Sequence, residues 1–212
     1  GLPLLRQIVD KTMAVKPDLV VVTGDLADGD LNNREAELEE LRRIKTKFGV
    51  FAVTGNHDYY DDIEAAENFM ESAGMRVLRS EGTEAGGIII VGADDRDHLE
   101  KKEWSLTKSE LLVLSFEKKQ RQQFLLLLRH RPIVETGTEG HFDLQLSGHT
   151  HGGQLLPYLN SRHIIAGHDR GLKKLKCGGC LYVSNGAGFV GPPVRLLAPP
   201  EIVVIDLVKF CG

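Results

Sequence analysis

Four short apolar runs in this chain are each followed closely by side chains that bind protons or metals. Leu19 to Thr23 leads into Gly24-Asp25, and Val50 to Thr54 into Gly55-Asn56-His57-Asp58. Phe124 to Leu128 leads into Arg129-His130, and Leu144 to Leu146 leads on to Gly148-His149-Thr150-His151. A continuous apolar run bounded by turn residues is the pattern of a parallel strand buried on both faces. In an open α/β sheet, ligands bind in the crevice beyond the carboxyl ends of such strands. The repeated arrangement therefore points to an α/β fold in which motifs far apart in sequence meet in space.

The intervening segments fit that class. Leu4, Leu5, Ile8, Val9, Met13 and Val15 have helical spacing, which predicts an amphipathic helix over residues 3–15. Residues 33–47 read as a second helix with Leu38, Leu41 and Ile44 on its apolar side, and residues 63–73 as a third. Val77 and Leu78, Ile88 to Gly92, Leu181 to Ser184 and Ile202 to Leu207 are expected as further strands, while residues 93–121 are polar and carry no readable period. No repeat or linker divides the chain, so one domain is expected over residues 1–212, with two sheets packed between helices. The first element is a helix, whereas in βαβ architecture a helix returns from a strand of the same sheet. The expectation is that a first strand precedes Gly1 and is missing here.

Composition narrows the partners. The 212 residues are 42% hydrophobic and 26% charged, enough for a sizeable core. A net charge of -4 and an isoelectric point of about 6.1 leave no basic footprint, so nucleic-acid binding is not expected. The longest apolar run, Phe124 to Leu128, is far too short to cross a bilayer. The three cysteines are too few for a secreted disulfide scaffold. Cys177-Gly-Gly-Cys180 has the spacing of half a zinc site, but a hairpin turn on Gly178-Gly179 with flanking thiols is the preferred reading.

The motifs together offer carboxylate, amide oxygen and imidazole. That mixture suits a borderline divalent metal such as manganese, iron or zinc. It does not suit calcium, which takes oxygen ligands. The glycines let the backbone turn sharply and let a ligand approach the main chain. Two histidines at i and i+2 on a tight turn, His149 and His151, can reach two different ions. Taken singly, Asp25 is an ordinary turn residue, His57 a neighbour of a helix cap and His130 a strand end; read together they favour a metal centre. His98, His141, His163 and His168 fit no motif and are expected on loops or the surface, with a place lining the cleft as the alternative for His163 and His168. Asp94-Asp95 reads as a solvated turn, with a place at the edge of the site as the alternative.

Gly-Asp, Gly-Asn-His-Asp, a lone His and Gly-His-x-His, in this order, resemble the calcineurin-like metallophosphoesterases. The run Gly148-His149-Thr150-His151-Gly152-Gly153-Gln154 is similar to a bacterial phosphodiesterase branch with many membrane-anchored members. So are Leu181 to Gly188 and Gly191 to Glu201. The resemblance covers residues 1–92 and 122–206. It implies a four-layer α-β-β-α sandwich and a binuclear centre of two divalent metal ions (Mn, Fe or Zn). In that centre Asp25 bridges the metals, Asn56, His130 and His149 complete one site, and His151 belongs to the other. His57 is implied as the general acid, oriented by Asp58, and a metal-bridging hydroxide as the nucleophile on a phosphodiester or pyrophosphate.

The chain also departs from the family pattern, which opens with Asp-x-His. The nearest match, Glu139-Gly140-His141, lies in a polar loop between later strands. The second metal position is therefore expected to be weak or empty. A catalytically impaired metal-binding or scaffold domain is the alternative to an enzyme. The resemblance implies a phosphorylated small-molecule or lipid-linked substrate, for which Leu155 to Tyr158 offers either an apolar wall or core. It also implies a soluble domain, cytoplasmic or on the cytoplasmic face of a membrane, to which a segment before Gly1 would attach it.

Overall fold

The apolar runs fold as strands whose alternate residues serve two different cores. The computed structural model describes residues 1–26, 29–60, 62–95, 107–119, 122–135, 137–154 and 170–208. Strands β1 (Val20–Val22), β2 (Val50–Ala52) and β3 (Arg76–Val77) form a parallel sheet in that order, with Val20 opposite Val50 and Phe51 opposite Arg76. The second sheet contains β4 (Glu81–Ala85), β5 (Ile88–Gly92), β6 (Leu125–Leu128), β7 (Leu144–Ser147), β8 (Gly171–Lys174) and β9 (Cys180–Val183). Its order is β4-β5-β6-β7-β9-β8; the inner four strands are parallel and the two edge strands antiparallel to their neighbours.

Side-chain parity assigns the layers. Val20, Val22, Val50 and Ala52 face a core shared with Val9 of α1 (Leu2–Ala14), Leu41 of α2 (Glu35–Leu41) and Met70 of α3 (Ile63–Ser72). Their neighbours Leu19, Val21, Phe51 and Val53 face the opposite way, onto Ile90, Leu126, Leu128, Leu144 and Leu146 of the second sheet. Ile89, Val91, Leu125 and Leu127 then point outward to Val113 of α4 (Lys108–Lys119). The chain is thus a mixed α/β sandwich of four layers. Strands buried on both faces must be apolar throughout, which is why these runs show no polar alternation. Each fully buried side chain of this kind, such as Leu128, contributes roughly 2–3 kcal/mol through burial.

Helix starts follow local chemistry. Pro3 stands in the first turn of α1, where its missing N–H has no partner to lose. The Asp62 carboxylate accepts from the N–H groups of Glu64 and Ala65 at the start of α3. Helix α4 emerges from the stretch that carries no readable period. Thr107 and Glu110 cap it reciprocally: the Thr107 N–H donates to Glu110 Oε2 and the Glu110 N–H donates to Thr107 Oγ1.

Three expectations change. The second helix ends at Leu41 instead of continuing to Lys47. Thr46 Oγ1 bonds both the N–H and the C=O of Gly49, a side-chain competitor for the helical ladder. Residues 202–207 form no ladder with any described strand. Their apolar side chains instead line a cavity of about 1930 Å³, together with α1, β1 and the histidine motifs. Strands β4 and β8 add to the expected set, because polar residues such as Glu81, Glu84, Lys173 and Lys174 suit sheet edges and mask the strand pattern. No helix among the described residues is long and apolar enough to cross a membrane. His98 and the rest of residues 96–106, residues 120 and 121, Leu155 to Tyr158, His163 and His168 lie outside the described residues.

Candidate metal centre

Because β1 and β2 are parallel neighbours, the turns Gly24-Asp25 and Gly55-Asn56-His57-Asp58 emerge side by side. Two glycines make the approach possible. A Cβ on Gly24 would lie 2.7 Å from both Gly55 N and His130 Nδ1, and one on Gly55 would lie 2.2 Å from Asp25 Oδ1. The buried Asp58 ties the turns together: its Oδ2 accepts from the N–H groups of Asp25 at 2.9 Å and Gly55 at 2.7 Å. A carboxylate that accepts two backbone N–H groups makes the stronger, charge-assisted kind of hydrogen bond. The family resemblance assigns Asp58 to His57 and does not reveal this backbone role. Asp25 Oδ1 in turn accepts the N–H of His57 at 2.9 Å.

The second sheet supplies the imidazoles. His130 follows β6, and His149 follows the adjacent β7. His130 Nδ1 lies 2.8 Å from the Thr23 carbonyl, which only accepts, so Nδ1 carries the proton of this contact. His130 Nε2 then faces Asp25 Oδ2 at 3.1 Å, Asn56 Oδ1 at 3.2 Å and His149 Nδ1 at 3.1 Å. Asn56 is turned to present its oxygen because its Nδ2 donates to the Tyr60 hydroxyl at 2.7 Å. Lone pairs from a carboxylate, an amide and two imidazoles repel when they converge, unless a proton or a cation lies among them. A backbone carbonyl fixing the far nitrogen of a ligating histidine is the usual second contact of a metal-binding imidazole. The ligand atoms of Asp25, His130 and His149 lie within 4.8 Å of one another, the one such group among the described residues. The donor set and its spacing therefore fit a divalent transition-metal ion.

Charge is shared within this cluster. Burial pushes the Asp25 carboxyl up, but the hydrogen bonds and charge interactions of His130 and His57 together outweigh burial and hold it below the usual carboxylate value. Burial pulls the His130 imidazole down, and Asp25, with the Thr23 carbonyl and the Asp95 charge, more than reverses this, leaving it above the ordinary histidine value. Asp25, His149 and His151 all have left-handed backbone, with φ of 55°, 68° and 50°. Non-glycine residues hold that conformation when their surroundings impose it, and such residues concentrate at functional sites.

His151 stands outside the 4.8 Å group. It opens a 3-10 turn, His151–Gly153, and its Nδ1 lies 3.4 Å from a guanidinium nitrogen of Arg195. Burial, reinforced by the Arg195 charge, holds its pKa below the ordinary value. His57 packs its ring on Tyr60 at 4.6 Å and lines the same cleft as Asp25, His130, His149 and His151. Sequence reasoning does not find Thr23, Tyr60 or Arg195, since a carbonyl acceptor and a hydroxyl prop carry no motif.

Asp94 and Asp95 are buried, not a solvated turn. Asp94 accepts from Arg79 Nε at 2.7 Å and meets the Tyr59 hydroxyl, while Asp95 pairs with Arg131 at 3.1 Å. They follow β5, an inner strand of the second sheet, and carboxylates buried there need partners. The Cys177-Gly-Gly-Cys180 segment closes the antiparallel β8–β9 hairpin with both thiols free.

Comparison with known proteins gives the same picture. The family model for calcineurin-like phosphoesterases matches residues 1–153. An uncharacterized metallophosphoesterase of Aquifex aeolicus is 38% identical over 195 residues, covering 91% of this chain and 73% of that protein. One from Campylobacter jejuni is 34% identical, covering 96% of this chain and 54% of its own length. A transmembrane protein with a metallophosphoesterase domain from Danio rerio is 30% identical, with 98% and 49% covered. The chain thus spans between about half and three quarters of these relatives. A 5'-nucleotidase precursor from Thermus thermophilus shares the fold, with a TM-score of 0.53 at 16% identity over 88% of this chain and 43% of that one. Motif order, layered fold, converging donors and family match agree, and the chain belongs to the calcineurin-like phosphoesterases.

Proposed function

We propose that this domain hydrolyses a phosphodiester or pyrophosphate bond at a binuclear centre, with manganese, iron or zinc as its ions. The observation that carries this reading is the convergence of four strand ends on His130 Nε2. Asp25, Asn56, His130 and His149 hold one ion; His151 and Asp25 serve the other. Bound there, divalent ions acidify water and offset the charge that develops on the phosphoryl oxygens. The residues do the remaining work. Thr23 keeps His130 in the tautomer that presents Nε2, and Tyr60 keeps the Asn56 oxygen turned inward. Water adds its oxygen to phosphorus, and the departing oxygen takes a proton from His57 acting as general acid.

The substrate class is a phosphorylated small molecule or a lipid-linked phosphoester. The apolar residues along the cleft, from α1 and from residues 202–208, support an apolar moiety. Two relatives, from Danio rerio and Bos taurus, are named as transmembrane proteins, which supports work at a membrane surface. A second reading, a metal-binding domain of low activity, has one observation in its favour: His151 stands apart from the other donors.

Elemental analysis after manganese loading and removal of excess metal, run beside hydrolysis of bis(p-nitrophenyl) phosphate, separates the readings. Two ions per chain, hydrolysis lost on chelation, and a His57→Ala variant that keeps its metal but loses activity support the enzyme. One ion without hydrolysis supports the second reading. A chain that takes up no metal refutes both.

A further inference from the structure

Arg195 lies where the segment after β9 returns to the histidine motif. Its Nε donates to Gly188 O at 3.0 Å. Nη1 donates to His151 O at 3.2 Å and Ala198 O at 3.1 Å. Nη2 donates to Asn185 O at 2.9 Å and Gly186 O at 3.3 Å, and also meets Gly188 O. A guanidinium has five N–H groups. Carbonyls of five residues and the His151 ring share them, so the fork is engaged within the protein and an anion-clamping role does not fit.

We infer that Arg195 is a positioning residue of the metal centre, binding residues 185–198 to His151 and so setting where that imidazole stands. Gln154 makes the matching connection at the other end of the turn. Its Nε2 donates to Val190 O at 2.8 Å, its Oε1 accepts from Val190 N at 2.9 Å, and its own carbonyl accepts from Leu196 N at 2.7 Å. Between the two, Gly152 is pressed on Asn185: a Cβ there would lie 2.2 Å from Asn185 Oδ1. His151 holds a left-handed backbone at φ 50°, and Arg195 grips the carbonyl of that same residue while its Nη2 reaches the ring at 3.4 Å. Arginine stays charged at every working pH and its planar fork fixes direction as well as distance. Thr23 accepts from the ring of His130, whereas a guanidinium only donates, so Arg195 holds His151 through its carbonyl and through the chain on either side of it.

The inference rests on the reading of His151 as a ligand of the second ion, and two readouts keep the failures apart. The first uses the metal-free chain: the His151 ring signal in a ¹H–¹³C NMR spectrum, followed in Arg195→Ala and Arg195→Lys. The ring signal of His151 is expected to move in both variants, that of His57 to stay, and methylguanidinium to restore the Arg195→Ala spectrum. The second is a manganese titration followed by electron paramagnetic resonance. One of two binding phases is expected to weaken by about tenfold or more, as for loss of an outer contact to a ligand. The other phase keeps its affinity, and methylguanidinium reverses the loss. A His151 signal unmoved in Arg195→Lys, or no rescue of Arg195→Ala, overturns the positioning role. A wild-type chain with a single manganese phase overturns the reading of His151 as a ligand, while the ring signals still decide the role of Arg195.

Discussion

His149 and His151 are two residues apart on one turn and live in different surroundings. His149 meets His130 edge-on at 4.9 Å and joins a group assembled from both sheets. His151 stands outside that group and is held by Arg195, from a segment after the last strand. The first environment is built by strand ends whose spacing the sheets determine. The second depends on a long loop folding back. In the proposed two-ion centre, one half is therefore set by the sandwich itself, and the other half by a connection made only when residues 185–198 are in place.

The largest expected effect breaks the comparison at its centre. His130→Ala removes the atom that Asp25, Asn56 and His149 share, and should cost roughly 10²–10³-fold in hydrolysis along with one bound ion. His151→Ala should leave that ion bound. If elemental analysis finds that both variants lose the same ion, the division into two halves is wrong.

Asp58→Ala should destabilise the chain by about 2–3 kcal/mol in urea unfolding, because two backbone N–H groups lose a charged acceptor. Asp58 holds the turns that carry Asp25 and Asn56, so a manganese titration should weaken the phase assigned to His130. An unchanged unfolding midpoint would mean that the turns hold together without it.

The two halves should also answer pH differently. Asp25 holds His130 above its ordinary 6.5, so a proton occupies that imidazole until the pH rises past the raised value. Metal must displace this proton, and affinity of the first phase should climb by about tenfold per pH unit below that pKa and then level off. His151 is held below 6.5 and is already proton-free near neutrality, so its phase should stay flat until more acid pH. Titrations across the neutral range that give parallel slopes would remove this distinction. The smallest effect is that of Tyr60→Phe, which takes away the acceptor that orients Asn56. It should weaken the first phase by about 1 kcal/mol, roughly fivefold, and leave the second alone.

Much of the sandwich was legible because strands buried on two faces leave an unbroken apolar run. Leu125 to Leu128 could hardly be anything else. Helix α4 was not legible: the polar stretch around Thr107 and Glu110 hid the short stripe of Leu112, Val113 and Phe116. The edge strands β4 and β8 were hidden by the charges that suit edges. Asp94 and Asp95 read as solvated because their partners, Arg79 and Arg131, are 15 and 36 residues away. Arg195 gave no signal of its own, since every group it binds except the His151 ring is a main-chain carbonyl.

From the sequence alone came the chemistry on offer: carboxylate, amide and imidazole placed after strands, with glycines wherever two backbones must nearly touch. Those are local demands, and short patterns carry them. Tertiary structure decided which groups meet. Thr23 and His130 are 107 residues apart, and Arg195 lies 44 residues from His151. Such pairings follow from sheet order, register and the return of the chain after β9, which no local pattern specifies.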